Sequence, residues 1–224
     1  MANKTGNAYG LITLSPIRRG VLEEGVEFVD KVRDILQDWN FRDNSPMSQV
    51  PETYLCRYFV LDDVFTQSLP GGSAPDTIRD FWPFGPGTSL PHEDHLQSAY
   101  LVFCCSLYGG PNGNVEGYLK GMWTAMSEDI KSIWKYCYGF EQVNDANSFM
   151  VYMKKCQMKT SLFFVGANDA PLAEQLKGLY LKQELARFAI DNQGLDAATL
   201  RANFTAFMAR VNPENLTTPT WTPG

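Results

Sequence analysis

Histidine and clustered basic charge are what this chain has least of: it carries two histidines in 224 residues. Its longest basic runs are the pairs Arg18-Arg19 and Lys154-Lys155. With a formal charge of -6 and a pI of 5.0, it has no footprint for phosphate backbones, which are bound by dense Lys/Arg surfaces. No nucleic-acid partner is expected. No apolar run approaches the ~18 to 20 residues of a membrane span, and residues 1–7 are polar rather than a charged region followed by an apolar one. No membrane partner is expected, and the expected location is cytoplasmic. Five cysteines cannot all pair within one chain, and Cys56, Cys104 and Cys105 sit in apolar runs where cysteine behaves as a small hydrophobe. Reduced thiols are expected.

What is abundant is aromatic surface, 13% of residues against 44% hydrophobic overall, and such side chains must line a core or a pocket. The run Tyr9 to Pro16 reads as a strand closed by proline. From Leu22, apolar residues recur at Val26, Val29, Val32, Leu36 and Trp39, the spacing of an amphipathic helix whose first turn is crowded with Glu23, Glu24 and Glu27. Tyr54 to Leu61 reads as a central strand ended by Asp62-Asp63. Between Ser68 and Pro91, proline and glycine break any regular pattern, which predicts a long loop. Ala99 to Ser106 reads as a third strand. A second long helix carries Val115, Leu119, Met122, Met126, Ile130 and Ile133 on one stripe, with Gly139 as its C-cap. Asp145 to Cys156 reads as a shorter helix, Ser161 to Gly166 as a fourth strand, and about Pro171 to Ile190 and Asp196 to Arg210 as two more helices.

The order strand, helix, strand, strand, helix, strand predicts an α+β fold. Specifically, it predicts a ferredoxin-like βαββαβ core with an antiparallel sheet, a long loop insertion and extra C-terminal helices. The chain is expected to form one domain, 1–224, with the core at about 8–168, a helical extension at 171–211 and a tail at 212–224. No repeat or linker divides it. The two long helices cover one sheet face, leaving the other for a second copy or an extension, with a pocket between.

Strand alternation places Leu55, Arg57 and Phe59 on one face and Tyr54, Cys56 and Tyr58 on the other. An arginine in mid-strand must find an anion. It would either bind a carboxylate, a phenolate or a peroxide-derived oxygen in a pocket, or form a structural ion pair with Asp62, Asp63 or Glu52. His92 and His95 are the only histidines, so histidine-dependent catalysis, metal binding or haem ligation would have to use them; the alternative is a solvated polar loop. Tyr54 and Tyr58 are candidate proton donors. Phe59, Tyr100 and Phe103 are candidate pocket walls. Phe81, Trp82 and Phe84 form either a lid over a hydrophobic ligand or an anchor for the loop. Of the adjacent Cys104 and Cys105, at most one reaches a pocket, and core packing suits them. The turn Gly109-Gly110-Pro111-Asn112-Gly113 lacks the lysine of a phosphate-binding loop and reads as a helix entry.

Several of these segments carry a resemblance: Leu11 to Ile17, Arg57-Tyr58, Tyr100 to Cys104 running on to Gly109, Ile133-Trp134 followed by Gly139-Phe140, and Phe163-Phe164. Together they resemble a group of uncharacterised bacterial proteins. That group in turn resembles the dimeric α+β-barrel superfamily of dye-decolorising peroxidases, chlorite dismutases and cofactor-free monooxygenases. The resemblance spans about 9–188. It departs at Tyr54, where that group has histidine, at Cys105-Ser106, where it has Ser-Asn, and in lacking the GxxDG haem motif. It implies an oxygenase- or peroxidase-like enzyme with an apolar pocket on the open sheet face, acting on an aromatic or hydrophobic small molecule, with haem or no cofactor, as a homodimer. The alternative is a non-catalytic small-molecule-binding or dimeric assembly protein.

Overall fold

A computed structural model describes residues 3–66, 92–166 and 169–221, with 63–66 and 92–95 described by backbone alone. It is a mixed α/β structure around a four-stranded antiparallel sheet. The strands are β1 (Lys4–Thr5), β2 (Ala8–Pro16), β3 (Thr53–Thr66) and β4 (His92–Tyr108), in spatial order β1-β2-β4-β3. β2 and β4 pair without interruption from Ala8 opposite Tyr108 to Pro16 opposite Tyr100. Because side chains alternate, one face carries Leu11, Thr13 and Ser15 of β2 with Leu101, Phe103, Cys105 and Leu107 of β4, all buried.

Three helices cover that face: α1 (Phe28–Phe41), α2 (Val115–Trp134) and α3 (Ala146–Cys156). The whole expected stripe of α2, from Val115 to Ile133, is buried. Asn114 starts this helix by accepting the Gly117 N–H at 2.9 Å. Asp145 and Ser148 close a capping box on α3. Aromatic residues fill the centre: the Tyr58 ring stacks on Phe103 at 4.7 Å and meets Trp39 and Trp134 edge-on. Fully buried Trp134 donates its indole N–H to Ser15 Oγ at 3.1 Å, so its one polar atom costs nothing to bury.

Several expectations are corrected. The first helix begins at Phe28, not near Leu22, because the left-handed Gly25 turns the chain and lets Leu22 N–H bond Val26 O. α2 ends at Trp134; Gly139 instead enters the short 3₁₀ turn Phe140–Gln142 at φ +77°. β3 does not stop at Asp62-Asp63. A register shift there carries it on to Thr66, and Asp62 faces an arginine of α1, Arg33. Nor is β3 central: it is an edge strand of this sheet. The segment Ser161 to Gly166 is irregular rather than a fourth strand. The edge of β2 that it would need is already taken by β1, by Asn3, whose amide donates to Gly10 O, and by Met158, whose N–H donates to Ile12 O. The loop expected between Ser68 and Pro91 lies outside the described residues.

Two further helices, α4 (Leu172–Asp191) and α5 (Ala197–Val211), form a hairpin. Their buried side chains are Lys177, Glu184, Phe207 and Val211. The hairpin is moored at the start of β3, where the Glu52 carboxylate accepts Leu172 N–H at 2.9 Å and Tyr54 O–H donates to Ala170 O at 2.7 Å. No described helix is long and apolar enough to cross a membrane.

Candidate functional site

The sheet face away from α1–α3 is built in rows across three strands. Register places Arg57 opposite Cys104, which lies opposite Ile12; Leu55 opposite Ser106, opposite Gly10; and Phe59 opposite Val102, opposite Leu14. On this otherwise apolar surface Arg57 is the single charge of the three rows. Leu55 and Phe59 remain 55% and 45% exposed.

Over the β2 end of this face the chain returns as Leu162-Phe163-Phe164. The Phe163 ring lies so close over Gly10 that a Cβ there would stand 2.6 Å from a ring carbon. Glycine in mid-strand commonly marks such an approach. The ring, with Leu55, Arg57, Cys104 and Ser106, bounds an open depression of about 290 Å³. Leu162 and Phe164, on either side, are 84% and 77% exposed.

Arg57 makes no hydrogen bond or ion pair with any described residue. Of the carboxylates expected to neutralise it, Asp62 is paired with Arg33 and Glu52 accepts the N–H of Leu172; the side chain of Asp63 lies outside the described residues. Burial raises the Cys104 thiol above its ordinary pKa, with the Arg57 charge pulling the other way, so the group is a neutral thiol at pH 7. Cys105, one residue on, points into the helix-side core. There its Sγ lies 3.1 Å from Tyr118 Oη, which lies 2.8 Å from Thr53 Oγ1. Burial pushes this thiol up to about 12, which makes it inert.

The other candidates fall in different places. Tyr58 and Phe103 belong to the helix-side core and do not reach the open face; the Tyr58 hydroxyl donates to Met47 Sδ at 3.1 Å, and burial raises its pKa. Tyr54 is turned toward the C-terminal hairpin, its phenol pushed up to about 12 by burial and by Glu52 and Asp169. Tyr100 lies on the open face but at the far end, opposite Pro16. His92 and His95 lie on β4, where the backbone is strand rather than loop, opposite Thr66 and Asp63; their side chains lie outside the described residues, as do Phe81, Trp82 and Phe84 altogether. Among the described residues no three His, Cys, Asp or Glu side chains gather as metal ligands. Arg57 and Phe59 are thus the expected site residues that this face brings together. Gly10, Ser106 and Phe163 were missed, and the glycine inside a strand pattern was the one signal available for them.

No family model, no curated protein and no solved structure matches this chain.

Proposed function

We propose that the open sheet face is a small-molecule site in which Arg57 holds the anionic group of a one-ring aromatic compound against Leu55, Phe59 and Phe163. The observation that carries this reading is an arginine on an apolar strand face with no acidic partner among the described residues. A guanidinium so placed forms bidentate, charge-assisted hydrogen bonds to a carboxylate or phenolate. The depression of about 290 Å³ sits at the small end of ligand sites, roughly 300 to 1,000 Å³. Membership of the dimeric α+β-barrel superfamily is part of this proposal. In its support, β2, α1, β3, β4 and α2 give the first five elements of a βαββαβ core, though no closing strand follows among the described residues; the reaction class that goes with it is oxidation of the bound aromatic by molecular oxygen. Haem has little to hold it among the described side chains, where Cys104 is the one axial-ligand type beside Arg57. The cofactor-free version is therefore the one we carry forward. In it, Arg57 stabilises the deprotonated substrate.

Calorimetric titration with 4-hydroxybenzoate tests the reading. Saturable binding that weakens tenfold or more in Arg57→Met supports it; equal affinity in the variant refutes it.

A second reading rests on the exposure of Leu55, Phe59, Leu162 and Phe164 together, since a contiguous apolar patch marks an interface. Here a second copy covers the face. Sedimentation of the wild type against Phe164→Asp decides it: a dimer that the aspartate splits is the expected result, and a monomeric wild type removes this reading.

A further inference from the structure

A second cavity, of about 710 Å³, lies apart from the depression at Arg57. It lies at the other end of β2, between Leu14 and Pro16 of that strand, Tyr100 of β4, the turn around Tyr138 and Gln142, and the α3 residues Val151, Tyr152 and Lys155. Three tyrosines, several apolar side chains and Gln142, Ser148 and Lys155 form its walls, and among the described residues no acidic side chain lines it.

Three of its polar groups are uncommitted. Lys155, Tyr138 and Gln142 make no side-chain hydrogen bond or ion pair with any described residue. The neighbouring lysine, Lys154, is by contrast engaged by Glu116, and the nearby carboxylate of Asp145 is held by the capping hydrogen bonds of α3. Tyr152, 7% exposed, closes the inner wall, with its hydroxyl on the core side beside Ser15, Cys137 and Cys156.

We propose that this cavity is a second binding site, separate from the one at Arg57, for a planar two-ring aromatic anion. Its ring system packs between Tyr100, Tyr138 and Val151, and its carboxylate meets the Lys155 ammonium with Gln142 and Tyr138 as donors. The volume decides the size class, since it falls within the usual range for whole small-molecule ligands and is more than double that of the depression at Arg57. The charge follows from a lysine with no partner, and a lining with no carboxylate, among the described residues: on a chain of net charge -6, an anion is held only where the local field is positive. The aromatic preference follows from the tyrosine faces.

The experiment is a fluorescence titration of the full chain with 2-naphthoate, with circular dichroism confirming the fold of each variant. Saturable binding by the wild type is expected, weakened at least tenfold in Lys155→Met and abolished in Val151→Trp, which fills the cavity. Both positions are exposed, so neither change should disturb folding. Arg57→Met should bind as the wild type does. Three outcomes overturn the inference: no saturable binding by the wild type, unchanged affinity in both cavity variants, or loss of binding in Arg57→Met with retention in Lys155→Met. The last would assign naphthoate to the open sheet face and leave this cavity without a ligand.

Discussion

Phe163 occupies the volume that a side chain on Gly10 would need, with three of its ring carbons 2.6 to 2.9 Å from the position of a Cβ. The irregular return segment is therefore docked to the sheet by shape, and the wall of the depression at Arg57 depends on a residue's having no side chain. Gly10→Ala should cost about 1 to 3 kcal/mol, the usual range for overpacking. The double variant Gly10→Ala with Phe163→Ala should recover part of that loss, because the two positions share one contact. Urea midpoints measure both. If Gly10→Ala proves neutral, the ring is not seated where it is described here.

Cys104 should react as a hindered, neutral thiol. Its pKa is raised, first by burial, so the thiolate fraction keeps climbing at pH values where an ordinary cysteine, at about 8.5, begins to level off. Iodoacetamide labelling followed by peptide mass spectrometry should show its rate still rising about tenfold per pH unit beyond pH 8.5. Arg57→Met removes the one effect that lowers this pKa, so labelling at pH 8 should slow further. A plateau below pH 8.5 would falsify the assignment of burial as the dominant effect.

Glu184 binds α4 to α5: its carboxylate meets Arg210 at 2.5 Å and Arg187 at 2.6 Å. Arg210, then Arg187, holds its pKa below the ordinary value. A depressed carboxyl stabilises the fold above its unfolded pKa, about 4.3, and that contribution fades as the pH falls through the lower, folded value. Hydrogen exchange across residues 172–211 should therefore quicken at pH 3.5 relative to pH 6, while α2 stays protected. Both arginines are more than half exposed, so raised salt should shrink the difference. In Glu184→Gln the pH dependence should disappear; its persistence would assign the effect to other carboxylates.

The parts of this fold legible in the sequence are those written in local periodicity. The α2 stripe from Val115 to Ile133 and the Asp145 start of α3 are set by spacing and capping chemistry, and both appear as read. Alternation likewise placed Leu55, Arg57 and Phe59 together. Alternation does not say which face meets the helices, so Tyr58 and Phe103 read as pocket residues although they are core. Nor does it say which strand lies outermost: Tyr54 to Leu61 is rich enough in apolar residues for a central strand, yet β3 is at the edge. Leu162-Phe163-Phe164 has the composition of a strand and failed to become one because Asn3, β1 and Met158 already occupy the edge of β2. That competition is tertiary and leaves no trace in the segment itself. The site at Arg57 was legible in its charge but not in its wall.

The mooring of the C-terminal hairpin bears on how the chain comes apart. Hydrogen bonds at the start of β3, from Leu172 N–H to Glu52 and from Tyr54 O–H to Ala170 O, with one from Asn7 N–H to Asp169, hold the hairpin where a broad apolar seam holds α2 to the sheet. Bonds of this kind are worth about 0.5 to 1.5 kcal/mol each. An opening that releases α4 and α5 leaves the aromatic centre around Trp134 sealed. Partial unfolding is therefore expected to shed α4 and α5 before the sheet and α2.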